Sequence, residues 1–366
     1  MSAAIAIVLP RRERFSASRF GAVALTVNDY VRHSALRDQT AILGLATDAP
    51  LNPAFRAIAP KDALWRRRTR GFALGCAADL APAPPRHIDV HNRVEIFHLL
   101  ARRFPEAAVS LWLHNDPQEI RGAKRAEERR RILTRARFVF CVSEWVRGRF
   151  LAGITEGHER VLVFPCAIDA MAEAARPGAA KEPLILFVGR VIPEKGALLF
   201  AEAVATALPG LSGWQAMLIG GARAGSDYGK QVQAALATLG ARATRRDFVP
   251  HEAVMAAFRR AAIAVVPSVW DEPFGRTALE AMAAGAAVIA SRRGGLPEIV
   301  GDAGMILDPM TAAGLGAALM ALAGDERARA DWQRRARARA VEKFDIRPWA
   351  ARLDALRRDI DPALPR

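Results

Sequence analysis

Along most of the chain, short runs of apolar, β-branched residues alternate with stretches whose apolar positions recur every three or four residues. The runs predict strands and the stretches predict helices. Ile5–Leu9 (IAIVL) reads as a strand, and Ala22–His33 (AVALTVNDYVRH) reads as the helix after it. Ile88–His91 is a short strand and Val94–Arg103 its helix. Val109–Leu113 (VSLWL) is another strand, closed by His114–Pro117, and Phe138–Val142 and Val161–Phe164 continue the series. Such alternation predicts the α/β class, a parallel sheet with crossover helices.

The series then restarts. Ala170–Glu182 (AMAEAARPGAAKE) is small and polar, holds Pro and Gly, and reads as a linker. Leu184–Val188 (LILFV) is a fresh buried strand, followed by a helix at Ala197–Leu208. Ala216–Gly220, Ala262–Val266 and Ala287–Ala290 are further strands. The expectation is two doubly wound, Rossmann-like domains, 1–169 and 170–345. An amphipathic basic helix, Ile346–Ile360, is expected to carry the segment 346–366 back onto the first domain. A chain of 366 residues fits two domains better than one.

Composition narrows the classes. No apolar run is long enough to cross a membrane, and MSAAIAIVLPRRERF lacks the basic segment that precedes a signal sequence's apolar run, so a cytoplasmic location is expected. The three cysteines, Cys76, Cys141 and Cys166, are isolated and read as small core residues. His87 and His91 are four apart but lie on a strand and its approach, so a helical zinc pair is not expected. The net charge of +15, carried mainly by arginine, favours anionic partners. The same charge also fits solvated surface. Nucleic acid is not an expected partner, because no interleaved aromatics or recognisable module accompany the charge. Arg11–Arg19 and Arg66–Arg70 (RRRTR) make an anionic membrane surface a candidate partner, and peripheral attachment to the inner face of the cell membrane a candidate location.

Chemistry is expected in loops at the carboxyl ends of strands. After Ala262–Val266 comes Pro267–Gly275, then a helix from Arg276 or Thr277 to about Ala284, ended by Gly285. The backbone N–H groups after Gly275 make a phosphate seat. Glu280, read as lying in the first helical turn, can accept from a pair of hydroxyls, while Glu272 lies across the loop. Thr277-x-x-Glu280 equally fits a capping box, with Glu272 an ordinary loop acid. After Leu184–Val188, the loop Gly189–Gly196 (GRVIPEKG) sets Arg190 and Lys195 beside a helix N-terminus, where the dipole disfavours cations unless an anion sits between them. The alternative is that both face solvent or pair with Glu194. In Ser291–Glu298 (SRRGGLPE), Gly294-Gly295 permits close backbone approach and Pro297 suits a first helical turn.

Taken together, GRVIPEKG, PSVWDEPFGRTALEAMAAGAAVIAS and GGLPEIVGDAGMILDP, in this order and spacing over Leu184–Pro309, resemble the C-terminal half of a retaining GT-B glycosyltransferase of family 4. VSEWVRGRF and VLVFPCAID in Val142–Asp169 resemble the family's last N-domain elements. The resemblance implies two Rossmann-like domains facing across a cleft. It implies an enzyme that moves a sugar from a nucleoside-diphosphate sugar to a glycan or lipid-linked acceptor, in lipopolysaccharide, capsule or exopolysaccharide synthesis. Arg190 and Lys195, with Gly189, would bind the diphosphate and stabilise the leaving group. Glu280 would bind ribose hydroxyls. Glu272 would hold the transferred sugar, with Phe274 and Gly275 offering backbone donors and Arg276 and Thr277 completing the donor site. His114 matches a family histidine near the reacting sugar, and His91 is a similar candidate.

The family's glycine-rich first loop is here PRRERFSASRFGAV, with Gly21 alone, and its arginines, Arg19 among them, suit an acidic acceptor. No Asp-x-Asp stands at a strand end, so no metal or other cofactor is expected. A sugar-nucleotide epimerase or hydrolase on the same fold, and a polyanion-binding protein, are the alternatives.

Overall fold

The structure is a computed structural model that describes residues 3–18, 20–61, 68–172 and 180–365. The chain forms two compact units, Met1–Ile168 with Ile346–Arg366, and Asp169–Asp345. In the first, seven parallel strands run in the order β3-β2-β1-β4-β5-β6-β7. They are β1 (Ile5–Val8), β2 (Thr40–Gly44), β3 (Phe55–Ala57), β4 (His87–His91), β5 (Ala108–Leu113), β6 (Val139–Cys141) and β7 (Val161–Val163). In the second, six run in the order β10-β9-β8-β11-β12-β13. These are β8 (Glu182–Val188), β9 (Gln215–Ile219), β10 (Ala243–Arg246), β11 (Ala261–Val266), β12 (Ala287–Ser291) and β13 (Met305–Leu307). Every named pair is parallel, with Ile7 opposite Ile42 and Asp89, and Val265 opposite Phe187. Each sheet reverses its strand order once, at β1/β4 and at β8/β11. Open α/β sheets bind ligands at such switch points.

Burial on both faces explains the near-continuous apolar strands. All six residues of β11 and all five of β12 are buried. The core of the second unit gathers Phe187, Phe200, Leu218, Ile263 and Leu319 around β8 and helix Ala197–Ala207. Each such side chain contributes about 1.5–3 kcal/mol by leaving water. Helix Ala22–His33 buries Val23, Ala24, Val27, Tyr30 and Val31, one face of a 3.6-residue repeat.

Four strands lie outside the elements read from the sequence. β3 (FRA) and β10 (ATRR) carry arginine and no buried residue, and β13 (MIL) is apolar but only three residues long. β2 is fully buried, but no helix separates it from β3, so the alternation does not mark it.

Helix Ile346–Ile360 packs on the first unit. Its buried stripe is Ile346, Ala350, Leu353, Asp354 and Arg357. The two charged members are paired: Arg357 donates to Asp89 Oδ2 at 2.5 Å, and Asp354 accepts from Ser34 Oγ and Ala35 N, each at 2.7 Å. A buried ion pair survives only when its remaining bonds are satisfied in this way.

Candidate functional site

Glycines bring the loops of the second unit together. Gly196, at φ +68°, ends the turn after β8, and a Cβ there would stand 2.0 Å from Pro267 O in the loop after β11. Gly294, at φ +56°, would set a Cβ 2.1 Å from Glu272 O. Gly295 N donates to that same oxygen at 2.6 Å. The loops after β8, β11 and β12 therefore touch backbone to backbone around Glu272.

Glu272 is buried. Its Oε1 accepts from Lys195 Nζ at 2.5 Å and from Ser268 Oγ at 2.6 Å. Ser268 is held in turn by Ser291 Oγ, which donates to its carbonyl at 2.7 Å. Lys195 Nζ also stands 5.2 Å from the Trp270 ring centroid, within cation–π range. Lys195 thus pairs with Glu272 and not with its neighbour Glu194. Arg190 is exposed and bonds to none of the described residues, so the two cations of this loop stand in different environments.

Helix Arg276–Ala283 begins after Gly275, whose φ of +103° disfavours any other residue and where a Cβ would stand 2.5 Å from Leu296 Cδ2. No side chain caps it. The capping-box reading of Thr277 and Glu280 therefore does not hold, because the helix starts one residue before Thr277. For the same reason Glu280 is the fifth residue, in the second turn rather than the first. Its Oε1 instead accepts from His251 Nε2 at 3.0 Å and Arg276 Nε at 2.8 Å. Burial pushes the Glu280 carboxyl up, but the His251 hydrogen bond and the Arg276 charge outweigh it, and the net direction is down. Phe274 is buried edge-on to Phe344, ring centroids 6.0 Å apart. Glu272 and Glu280 share one arrangement: Oε1 engaged twice, Oε2 without a partner among the described residues.

In the first unit, His91 ends β4 and His114 follows β5. His91 Nδ1 lies 2.8 Å from His114 Nε2, and His114 Nδ1 lies 4.0 Å from Cys166 Sγ. Asn92, at φ 55°, sets its Oδ1 to accept from His114 N at 2.8 Å. The His91 ring stacks on Trp112 at 5.3 Å. Burial pushes His114 down to about 3, and burial together with His114 and Arg357 pushes His91 well below its ordinary range. Both rings are neutral at physiological pH, and both nitrogens of His114 face protein groups.

The loop after β1 is tied down from within. Glu13 Oε1 accepts from Ala24 N at 3.1 Å, and a Cβ on Gly21 would stand 2.2 Å from that oxygen. Gly21 is therefore where the chain's own carboxylate meets a helix N-terminus. Burial raises the Glu13 carboxyl against the lowering effect of the backbone bonds and Arg93. Arg11 and Arg12 act on Arg93 here. Arg19, Arg66 and Arg67 lie outside the described residues.

Sequence reasoning missed Glu13, Ser268 and the His251–Glu280 bond. His251 and Glu280 are 29 positions apart, with no shared motif, and only the adjacency of two helices joins them. It also left the arginine charge ambiguous. Much of it caps backbone carbonyls: Arg129 donates to Phe150, Ala123, Lys124 and Ala152, Arg160 to Leu133 and Ala136, Arg329 to Leu322 and Ala323, and Arg339 to Ile299 and Glu298. Most of these bonds satisfy carbonyls at or near helix C-termini. Among the described residues, no helix is long and apolar enough to cross a membrane, and no cluster of His, Cys, Asp and Glu could hold a metal.

Residues 154–339 match the family model described as glycosyl transferases group 1. Glycogen synthase of Mycobacterium tuberculosis is 37% identical over 200 residues, 52% of this chain and 46% of that protein. D-inositol 3-phosphate glycosyltransferase of Nocardia farcinica is 35% identical over 208 residues, 54% of this chain and 44% of that one. The chain thus spans about half the length of these curated relatives. Among solved structures, HepE of Anabaena in complex with UDP and glucose superposes with a TM-score of 0.78 at 18% identity, over 97% of this chain and 100% of that one. Two parallel Rossmann-like sheets, the loops that surround Glu272 and Glu280, and a model match over half the sequence make this chain a member of the glycosyl transferases group 1 family, with the GT-B fold.

Proposed function

We propose that the chain is a retaining glycosyltransferase that moves a sugar from a nucleoside-diphosphate sugar to a hydroxyl of a glycan or lipid-linked acceptor. The observation that carries the reading is the pair Glu272 and Glu280, two buried carboxylates flanking Gly275, each with one oxygen fixed and one free to accept. A nucleotide sugar carries hydroxyl pairs at both ends of a diphosphate. Glu280 takes the ribose hydroxyls and Glu272 those of the sugar. The N–H groups after Gly275, together with Arg190 and Lys195, take the phosphates.

The acceptor oxygen attacks the anomeric carbon on the face from which the diphosphate leaves. The bond to the diphosphate breaks, and the acceptor's proton passes to a diphosphate oxygen. Arg190 and Lys195 stabilise the charge that gathers on that leaving group. Lys195 starts on Glu272 and is shared with the phosphates when donor binds, so it couples the two donor ends. His114, neutral and bonded to His91, is proposed as an uncharged group near the reacting sugar, with His91 on the acceptor side. The acceptor belongs to lipopolysaccharide, capsule or exopolysaccharide synthesis, in the cytoplasm.

Thermal stabilisation by a panel of nucleoside diphosphates and sugar nucleotides tests the donor site, with UDP compounds first because the HepE structure holds UDP. A melting-point rise with one base, lost in Glu280→Ala and Lys195→Ala variants that still fold, supports it. No rise with any compound in a folded sample refutes it. Sugar-nucleotide turnover without an acceptor would point instead to an epimerase or hydrolase.

A further inference from the structure

Strand β4 reads HIDVH, and its period of two sets His87, Asp89 and His91 on one face, with the carboxylate between two imidazoles. All three are buried. A carboxylate close to a histidine favours the ring's charged form. Here neither ring bonds to Asp89. His91 Nδ1 faces His114 Nε2 at 2.8 Å, and His87 Nε2 has no partner among the described residues. Asp89 Oδ2 accepts instead from Arg357 Nη2 at 2.5 Å.

The guanidinium that takes this carboxylate is itself fixed. Arg357 Nη1 stands 3.8 Å from Asp354 Oδ1, and Asp354 is held by Ser34 and Ala35, just past helix Ala22–His33. Asp89, His91, Trp112, Tyr30 and Arg357 line one cavity of about 10 Å³. That is room for about one water at most, so bulk solvent does not screen the charges around it. Around His91 stand His114 from the loop after β5, with Cys166 beyond it, and Tyr30, whose hydroxyl donates to Pro165 O at 2.9 Å. Asp89 comes from the same strand, and Arg357 with Asp354 from helix Ile346–Ile360. Of these groups Arg357 carries the positive charge. Burial, His114 and Arg357 together push His91 down.

We propose that Arg357 is a positioning residue for the His91–His114 pair: it takes up the Asp89 carboxylate and so leaves the pair an uncharged, hydrogen-bonded unit. This role rests on the proposed transferase activity, in which His114 stands near the reacting sugar. As a diphosphate leaves the anomeric carbon, positive charge gathers on the sugar. A neutral ring beside that sugar tolerates the change, whereas an imidazolium opposes it. Helix Ile346–Ile360 thus acts on the site through a carboxylate two residues from His91.

The test is histidine-ring NMR on the full chain from pH 8 to pH 5, beside kcat/KM for the sugar nucleotide that gives the largest thermal shift. In the wild type neither His91 nor His114 should titrate over this range. Arg357→Gln can still donate to Asp89 but carries no charge. In it the pair should take up a proton with a midpoint at least about one unit higher, and the acid limb of kcat/KM should rise by the same amount. Arg357→Lys keeps the charge and should hold the wild-type midpoint. Asp89→Asn/Arg357→Gln removes the carboxylate together with the cation and should reverse most of the shift, which disrupted packing would not do. Titration of either ring near 6.5 in the wild type overturns the proposal, whether or not the variants fold. So does an unchanged midpoint in folded Arg357→Gln, or a double variant that titrates as the single one does. A ring shift with an unmoved rate profile overturns it as well, since the charge of the pair would then not bear on transfer. Ring titration needs no substrate, so it decides that charge even where no sugar nucleotide is turned over, and such a failure falls on the transferase activity alone.

Discussion

Lys195 Nζ bonds to Glu272 Oε1 at 2.5 Å across 77 positions of sequence, joining the loop after β8 to the loop after β11. One is the cation expected at a diphosphate and the other the acid expected at a sugar. Each holds the other in place before any ligand arrives. Lys195→Met or Glu272→Gln should lower kcat/KM for a sugar nucleotide by at least about a hundredfold, because each removes a preorganised charge at the reacting end. Each should also cost about 1–3 kcal/mol by stranding its partner. In the double variant, stability should recover part of that loss while activity stays low. A double-mutant cycle read by both denaturation and kinetics checks this, and fully additive effects would contradict it.

His251 and Glu280 form the second coupling. His251→Phe should weaken nucleotide binding about tenfold through loss of carboxylate orientation, with a smaller effect on kcat, measurable as a KM-against-kcat split. The pH dependence follows from Glu280, whose carboxyl lies below its ordinary value of 4.5. The native state therefore holds fewer protons than the unfolded chain as pH falls from that value. Its contribution to stability is present above pH 4.5 and is lost as pH falls through the lowered native value. Melting curves from pH 6 down to pH 3 should show a steeper loss for the wild type than for Glu280→Gln.

Lys181 tests the scaffold beneath these loops. Its ammonium donates to Phe258 O at 3.1 Å, Arg259 O at 2.8 Å and Ala284 O at 2.6 Å, tying the ends of the two helices that carry His251 and Glu280. Burial, aided by Arg337 and Arg259, pushes it down to about 8 from 10.5. The folded value is depressed, so between pH 8 and 10.5 the unfolded chain holds the extra proton and stability rises with pH from this group. Lys181→Met should abolish that rise and cost about 1–3 kcal/mol at neutral pH by leaving carbonyls unbonded. Thermal denaturation at pH 7, 8, 9 and 10 reads both.

Gly196 tests the approach of the two loops. At φ +68° and with Pro267 O 2.0 Å from a Cβ position, Gly196→Ala cannot be accommodated without moving backbone. The expected cost is about 1–3 kcal/mol, with loss of nucleotide-dependent stabilisation. Gly213, also at positive φ (+76°) but with nothing near its Cβ position, is the control. Its alanine variant should cost less and leave binding unchanged.

How much of this was legible in one dimension follows from the range of each interaction. Helix Ala22–His33 and helix Ile346–Ile360 could be read residue for residue, because a 3.6-residue repeat of buried positions is a local property. The α/β class was legible from the buried strands, whose apolar runs follow from being covered on both faces. Edge strands such as β3 and β10 were not, since an edge needs few apolar residues.

The candidate donor loops could be named from the residue types at strand ends, including Arg190, Lys195, Glu272 and Glu280. What each acid touches could not. Lys195 could have faced solvent or Glu194, and Glu280 could have served as a cap. Only the packing of Gly196 on Pro267 and of helix His251–Arg260 beside helix Arg276–Ala283 decided these questions. The meaning of the arginines was settled the same way. Composition determines that the chain carries +15, because charge is a sum over residues. Which guanidinium caps a carbonyl and which pairs with a buried carboxylate depends on how the helices pack, and that is decided in three dimensions.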